Sequence, residues 1–559
     1  MPKIIKLLTV ALIIAVALFI IITFIPKIIR NIHNNNIENP EWIAKNTNIV
    51  LDKSLGENIY SVSKDPDINI YDLKYQNIIN KKLANLDTSD DFKNPLIIYN
   101  LYGSNEASLN IYFATKEASY LEYSVQTSNT TPFQKTLKND GQNNLTTTHA
   151  YQLIGLILET ENTINLTLKN KSNEIIDTYS FTIDLSNIKA ASEIKLEITE
   201  GESKEELSNG LYTILGNDSD EQDYVFMYDN DGYLRSQIPI IGYRAHALLF
   251  QDDKTYFSIS QTQIAQMNNL GEITDIFDTG YYQLHHDYTF NQDGDLLILA
   301  NNTKKDTEED CIIKIDIESK KITEVIDFED MFQSYVDTCT LDTKSTRDEG
   351  EDGLDWLHLN SIEYIDKDVI LSSRETSSII KISNLETTPE IKYILADKSI
   401  WENTEFANYV YDQKSNFKVQ AGQHSVRLKE KINDYQYYLI LYDNNYGKSN
   451  SQPNIDYKQI GIPNTKSPYE GSNSYYYVYL VDEKNKTFDL VNSIEVPYSG
   501  IVSSVQIKDN NIIIDSGTKG IFGEYDSNNN LIRQFKTKMN KYMVYRVYKY
   551  DFNNFYFIN

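Results

Sequence analysis

"LHLNSIEYIDKDVILSS", residues 357–373, reads as a strand, an acidic turn and a second strand, with His358 and Asn360 set among leucines. The same form recurs in "AHALLFQDDKTYFSIS" (245–260), "HHDYTFNQDGDLLILA" (285–300), "QHSVRLKEKINDYQYYLILYD" (423–443) and "VSSVQIKDNNIIIDSG" (502–517). Set side by side, these segments bring His246, His286, His358, His424 and Ser503 into one register. The intervals between them vary, as they do when loops differ in length from unit to unit. A further unit is needed for the strands near 224–235 and those at the C-terminus. About six such units over residues 205–559 predict a β-propeller domain.

In a propeller the innermost strand of each blade lines a central channel, so one repeat position points to one end of it. Four of the seven histidines in the chain fall at that position. A single strand histidine is ordinarily a satisfied core or surface residue, whereas four in register predict an axial ring. Asn360 lies two residues beyond His358, on the same strand face. Arg374 ends the second strand of that unit, and Asp287 follows His286. Imidazoles with one guanidinium and one amide supply donors where carboxylates do not dominate, which suits an oxyanion. Arginine engages two oxygens of a sulfate or phosphate together. Histidine can donate, take a proton or attack as a nucleophile. The histidines could also hold zinc, iron or copper. Arg374 would repel a cation, however, so no metal and no other cofactor is expected. No G-x-S-x-G elbow in a strand–turn–helix context, P-loop or G-x-G-x-x-G occurs, which argues against a serine hydrolase and a nucleotide phosphate loop.

At 559 residues the chain exceeds one ordinary domain. Its 80 acidic residues outweigh 52 basic ones, for a net charge of −28. That balance excludes nucleic acid as a partner and obliges any anionic ligand to find a local positive site. The 42 tyrosines and only 12 prolines, amid alternating polar and β-branched residues, favour strands. Cys311 and Cys339 are too few for a disulfide framework, and pairing or two separate thiols both remain open.

Residues 7–25, "LLTVALIIAVALFIIITFI", suit one bilayer crossing within a 1–30 anchor. Lys3 and Lys6 precede the run, and Lys27 and Arg30 follow it. No small-residue cleavage site follows, so an uncleaved single-pass anchor in the cell membrane is expected, with the rest of the chain extracytoplasmic. Residues 31–92 are rich in Asn, Asp and Lys and read as a polar stalk. Short alternating runs such as "SYLEYSVQT" and "NTINLTLKN" predict a small β-sandwich domain over 93–190. The fold class is therefore all-β: a six-bladed propeller behind a small β-sandwich and an N-terminal transmembrane helix.

"DWLHLNSIEY", "ILSSRETSSIIKI", "AGQHSVRL" and "HHDYTFNQDGDLLIL" resemble the blade motifs of bacterial arylsulfate sulfotransferases. "NPLIIYNLYGSNEASLNIYF" resembles that family's small β-sandwich domain, so the resemblance spans about 93–559. It implies transfer of a sulfuryl group from a phenolic sulfate ester to an acceptor phenol, without a nucleotide sulfate donor. It implies a ping-pong cycle through a sulfohistidine, with His424 as nucleophile and His358 and Arg374 on the sulfate oxygens. His246 would be a further catalytic contact, acting as acid or base on the phenolic oxygen. His286 and Asn360 would bind substrate, and the resemblance leaves His246 and His286 as alternatives for the third active-site histidine. "GYRAHALLF" matches the family only loosely, and the wide spacing of Cys311 and Cys339 carries no family disulfide across. The alternative reading is a non-catalytic, surface-anchored propeller that binds aryl or anionic ligands; a metal-dependent hydrolase or lyase is a third.

Overall fold

The computed structural model describes residues 39–86, 91–128, 130–217, 223–340, 353–462, 467–539 and 542–558. The apolar run 7–25, expected as a membrane anchor, lies outside the described residues. Among the described residues, no helix is long and apolar enough to cross a membrane.

Blade four shows how the sequence builds the propeller. Its strands are Leu359–Ile365, Asp368–Ser373, Ser378–Ser383 and Glu390–Leu395, paired antiparallel in that order. Side chains alternate faces along a strand, and here both faces are covered. Ile370 and Ile379 pack with Leu439 and Tyr479 of the next blade. Their neighbours Leu371 and Ile380 pack with Leu299 and Ile312 of the previous one. A strand buried on both sides has no polar face, which is why "VILSS" and "SIIKI" read as almost unbroken apolar runs.

Five further sheets repeat this plan. Blade two comprises Leu249–Gln251, Lys254–Ser260, Gln263–Asn268 and Ile273–Asp278. Blade three comprises Tyr282–Phe290, Leu296–Asn302, Cys311–Ile315 and Ile322–Asp327. Blade five carries His424–Lys431, Gln436–Asp443, Asn473–Asp482 and Thr487–Pro497, with a short fifth strand, Asp412–Gln413, at its edge. Blade six carries Ser504–Lys508, Asn511–Ser516, Ile521–Tyr525 and Leu531–Lys536. Blade one holds Leu211–Leu215, Tyr224–Tyr228 and Leu234–Pro239, and its inner strand is Arg546–Tyr550 from the C-terminus. Glu197–Glu200 in turn adds an outer strand to blade six. The ring is thus stitched shut at both its inner and outer edges. The six-bladed architecture read from the repeats is what forms, and its extra unit does combine strands from 224–235 with the C-terminus.

The segment 31–92 is not a stalk where it is described. It carries helices Pro40–Lys45 and Leu73–Ala84 and strands Thr47–Leu51 and Ile59–Lys64. The longer helix is capped by Asp72, whose side chain accepts from Lys74 N, and it buries Tyr75, Ile78 and Ile79 at helical spacing. Ile59–Lys64 pairs in parallel with Leu96–Tyr99, which joins the segment to an eight-stranded N-terminal sheet. That sheet turns on the strand Ser108–Gln126. Its first half pairs with Leu96–Tyr99 and Thr146–Ile154, and its second half with Glu161–Lys169. The Asn, Asp and Lys that dominate 31–92 hide the few apolar residues that fix it.

Inter-blade hydrogen bonds give the true register of the inner strands. Asp287 accepts from Ile362 N, Ser361 from Val426 N, Ser425 from Val505 N and Ser504 from Val547 N. The residues just before these acceptors are His286, Asn360, His424 and Ser503. Asn360, not His358, therefore occupies the repeat position of His286 and His424. The cause is a β-bulge: Leu359 pairs with Ser373 and Ser361 with Ser372, leaving Asn360 as the additional residue. The same bulge removes the simple alternation by which His358 and Asn360 were expected to share a face.

Candidate active site at one end of the channel

Despite that slip, the histidines converge. The rings of His286 and His358 lie 4.6 Å apart, and those of His285 and His286 lie 5.2 Å apart. Tyr545, from the closing segment, stands edge-on to His246 at 5.2 Å and to His286 at 5.9 Å, and its hydroxyl donates to His286 O at 2.9 Å. His286 is held well below the usual imidazole pKa by burial and by the surrounding His358, His285, His424 and His246. Thus five of the seven histidines share one neighbourhood, although the repeat pattern singled out four.

His424 opens the inner strand of blade five. Its Nδ1 lies 2.8 Å from Asn444 Oδ1 and 3.1 Å from Gly422 O. The Asn444 amide is fixed by its own donors, since Nδ2 reaches Ser499 O at 2.7 Å and Val502 O at 3.0 Å. Two acceptors therefore face Nδ1. The proton of the neutral ring belongs on Nδ1, and the lone pair on Nε2. Burial pushes the His424 pKa down to about 3, and Arg374, His358 and Arg546 add to this against the Asn444 bond. The imidazole is neutral at neutral pH and offers Nε2 as a nucleophile.

His358 is the opposite case. Its Nδ1 is 2.7 Å from Asp355 Oδ2 and 2.5 Å from Glu309 Oε2. Burial and Arg374 disfavour the charged ring, but the two carboxylates outweigh them and raise its pKa to about 9. One imidazole held neutral and one held protonated thus stand in a single site, their pKa values pushed apart by their surroundings. Arg374 donates to His358 O through its backbone and holds Glu375 at 2.9 Å and Asp355 at 3.3 Å through NH2. These pairs keep the guanidinium charged against burial and leave other N–H groups for an anion.

A site in which carboxylates do not dominate was expected, and that is corrected here. Glu309, Asp355 and Glu375 line it and set the protonation of His358 and the aim of Arg374. None was legible from the repeat, because Glu309 comes from the loop before the third strand of blade three. Asp355 precedes the inner strand of blade four, and Glu375 follows Arg374 on the turn after that blade's second strand. Beneath the ring, Asp287 is buried between Arg546 at 2.7 Å and Arg427 at 2.8 Å, which hold its carboxyl below the usual range despite burial. Arg546 also donates to His246 O and Asn360 O, tying three blades to the closing strand.

The remaining expected residues divide. His246 is fully buried, and neither ring nitrogen makes a hydrogen bond of good geometry among the described residues. Burial, then Arg244, Arg546 and His285, hold it neutral. An orphaned buried polar group calls for a ligand or water. Asn360 commits an amide N–H to Gln423 O at 2.8 Å, beside His424, while its Oδ1 has no partner among the described residues. Two overlapping groups have metal-ligand geometry, His285–His286–Glu309 and Glu309–Asp355–His358. Cys311 and Cys339 are both free thiols. Trp356 is buried and donates to Asp310 Oδ2 at 2.8 Å, so it packs the blade and stays out of the chemistry.

Fold and site together define a six-bladed propeller that gathers five imidazoles, Arg374 and three carboxylates from several blades into one cluster. The chain belongs to the arylsulfotransferase family: the arylsulfotransferase (ASST) model matches residues 197–557, and the arylsulfotransferase Ig-like domain model matches residues 96–185. It is an aryl sulfotransferase, with an aryl sulfate as donor and a phenol as acceptor. No curated protein matches it significantly. Solved structures similar to it include a protein of unknown function from Bacteroides caccae, with 10% identity, 60% of this chain and 98% of that chain covered, and a TM-score of 0.33. Others are the WD40 domain of Toxoplasma gondii coronin (8%, 62% and 77%, TM-score 0.29) and apo AztD from Citrobacter koseri (10%, 77% and 97%, TM-score 0.25). Likeness at this level bears on neither activity nor ligand.

Proposed function

We propose that transfer runs in two steps through a covalent sulfohistidine at His424. The observation that carries this is the fixed tautomer of His424, with both acceptors on Nδ1 and the lone pair on Nε2. In the first step Nε2 attacks the sulfur of the aryl sulfate, an N–S bond forms and the S–O bond to the aryl group breaks. The leaving phenolate takes the Nε2 proton of the His358 imidazolium. Arg374 and His358 bear the charge on the sulfuryl oxygens as that bond breaks. In the second step the acceptor phenol attacks the same sulfur, its proton passes to the now neutral His358, and the N–S bond breaks to restore His424.

His246 supplies a neutral N–H to a substrate oxygen, in keeping with its unpartnered ring. This departs from acid–base work by His246, because a ring held neutral is the weaker acid and His358 is the one with a proton to give. His286, whose Nδ1 is taken by His285 and faces Glu309, is the less suited of the two to meet substrate. Asn360 positions the strand that leads to His424. The test is steady-state kinetics with a chromogenic aryl sulfate and a series of phenols. Parallel double-reciprocal lines and loss of transfer in His424→Ala support the scheme. Intersecting lines, or a His424→Ala variant that still transfers, overturn it.

A further inference from the structure

We propose that His285, His286 and Glu309 form a binding site for one divalent transition-metal ion of the zinc class, beside the sulfuryl-transfer site. The argument begins with the backbone. Successive residues of a strand project to opposite faces, yet the Nδ1 atoms of His285 and His286 are 3.1 Å apart. What brings them together is a bulge between Leu284 and Tyr288, with His286 at φ +53° in the left-handed region. Glu309 is held in the same region, at φ +55°. These two residues with a Cβ adopt the left-handed conformation at a partly buried site, and it turns both side chains toward one point.

The spacing fits an ion. Glu309 Oε1 lies 3.6 Å from His286 Nδ1, and one ligand atom from each residue falls within 4.8 Å of the other two. Tetrahedral zinc with bonds near 2.1 Å separates its ligand atoms by about 3.4 Å. The observed 3.1 and 3.6 Å straddle that edge. Two imidazoles and a carboxylate with an open fourth position make a ligand set that zinc accepts.

Glu309 then has two tasks. Oε1 would meet the ion, while Oε2 stays 2.5 Å from His358 Nδ1, so the carboxylate links the metal to the imidazolium. The sequence-based objection, that Arg374 repels a cation, loses force because Arg374 is offset by Glu375 and Asp355. Metal binding is read without substrate, so the proposal stands or falls apart from the sulfohistidine.

The test uses the full-length chain, purified without chelator and without a histidine tag. It is equilibrated with zinc chloride, dialysed against metal-free buffer and analysed by elemental mass spectrometry. The expected result is about one zinc per chain, reduced at least about tenfold in Glu309→Gln and His285→Ala but retained in His424→Ala. Cobalt(II) in place of zinc should give visible bands of tetrahedral intensity in the wild type and lose them in Glu309→Gln. Thermal unfolding shows whether each variant is folded, and the near-isosteric Glu309→Gln guards against a collapse caused by His285→Ala. Folded wild type holding under about 0.1 zinc per chain overturns the proposal, as does equal retention by the folded Glu309→Gln variant.

Discussion

Asn444→Ala isolates the feature on which His424 depends. It deletes the acceptor 2.8 Å from Nδ1 but leaves Gly422 O at 3.1 Å, so the tautomer is weakened without being reversed. One neutral hydrogen bond contributes about 0.5–1.5 kcal/mol, which corresponds to roughly a 2.3- to 13-fold fall in kcat. The change also strips Val502 O of its side-chain donor, at about 1–3 kcal/mol of stability for a buried carbonyl left unpaired, while Ser499 O keeps the hydroxyl of Ser474 at 3.2 Å. The assay therefore pairs thermal unfolding with kcat for a 4-nitrophenyl sulfate donor, taken well below the unfolding range. Asn444→Asp sharpens the contrast, since a carboxylate beside Nδ1 favours the imidazolium. The acid limb of its pH–rate profile should rise from the region of pH 3 that His424 sets in the native protein. A folded Asn444→Ala enzyme within about twofold of wild-type kcat would refute the reasoning, as would an Asn444→Asp enzyme with an unmoved acid limb.

Further outcomes follow from the same geometry. His358→Gln should slow donors with poor phenolate leaving groups far more than 4-nitrophenyl sulfate, because only the former need a proton; equal slowing across the series would remove His358 as the acid. With chelator present, activity should hold through neutral pH and fall as pH rises through about 9, where His358 loses its proton. Its pKa is raised from 6.5, so its ion pairs stabilise the fold fully below that pH, and this contribution also fades as pH climbs through about 9; a profile flat to pH 11 would contradict both statements. We also propose that residues 7–25 anchor the chain, so alkaline extraction should leave the full-length protein in the membrane fraction and release a chain lacking residues 1–30.

The sequence discloses the propeller because a blade buried on both faces needs apolar residues at nearly every position, and such strands repeat visibly. It discloses His424 and Arg374 because each closes or opens a strand of that repeat. His358 is found by a register that proves two residues out, since a bulge cannot be counted from spacing alone. Glu309, Asp355 and Asn444 stay hidden for another reason. Each acts through a contact made by folding, and in the sequence each looks like part of an acidic or Asn-rich turn. Asn444 lies in "DNNYG", indistinguishable there from the many other turns. The helices within 39–86 are masked in a similar way, because Tyr75, Ile78 and Ile79 carry the packing while lysine and asparagine set the composition.

The central claim is most directly tested by trapping the intermediate. The enzyme is mixed with aryl sulfate in the absence of acceptor, quenched under alkaline conditions, digested and mapped by mass spectrometry. A gain of about 80 Da on the peptide carrying His424, absent in His424→Ala and discharged on adding a phenol, is the predicted result. An adduct on another residue, or none while the first phenol is released, would contradict the account.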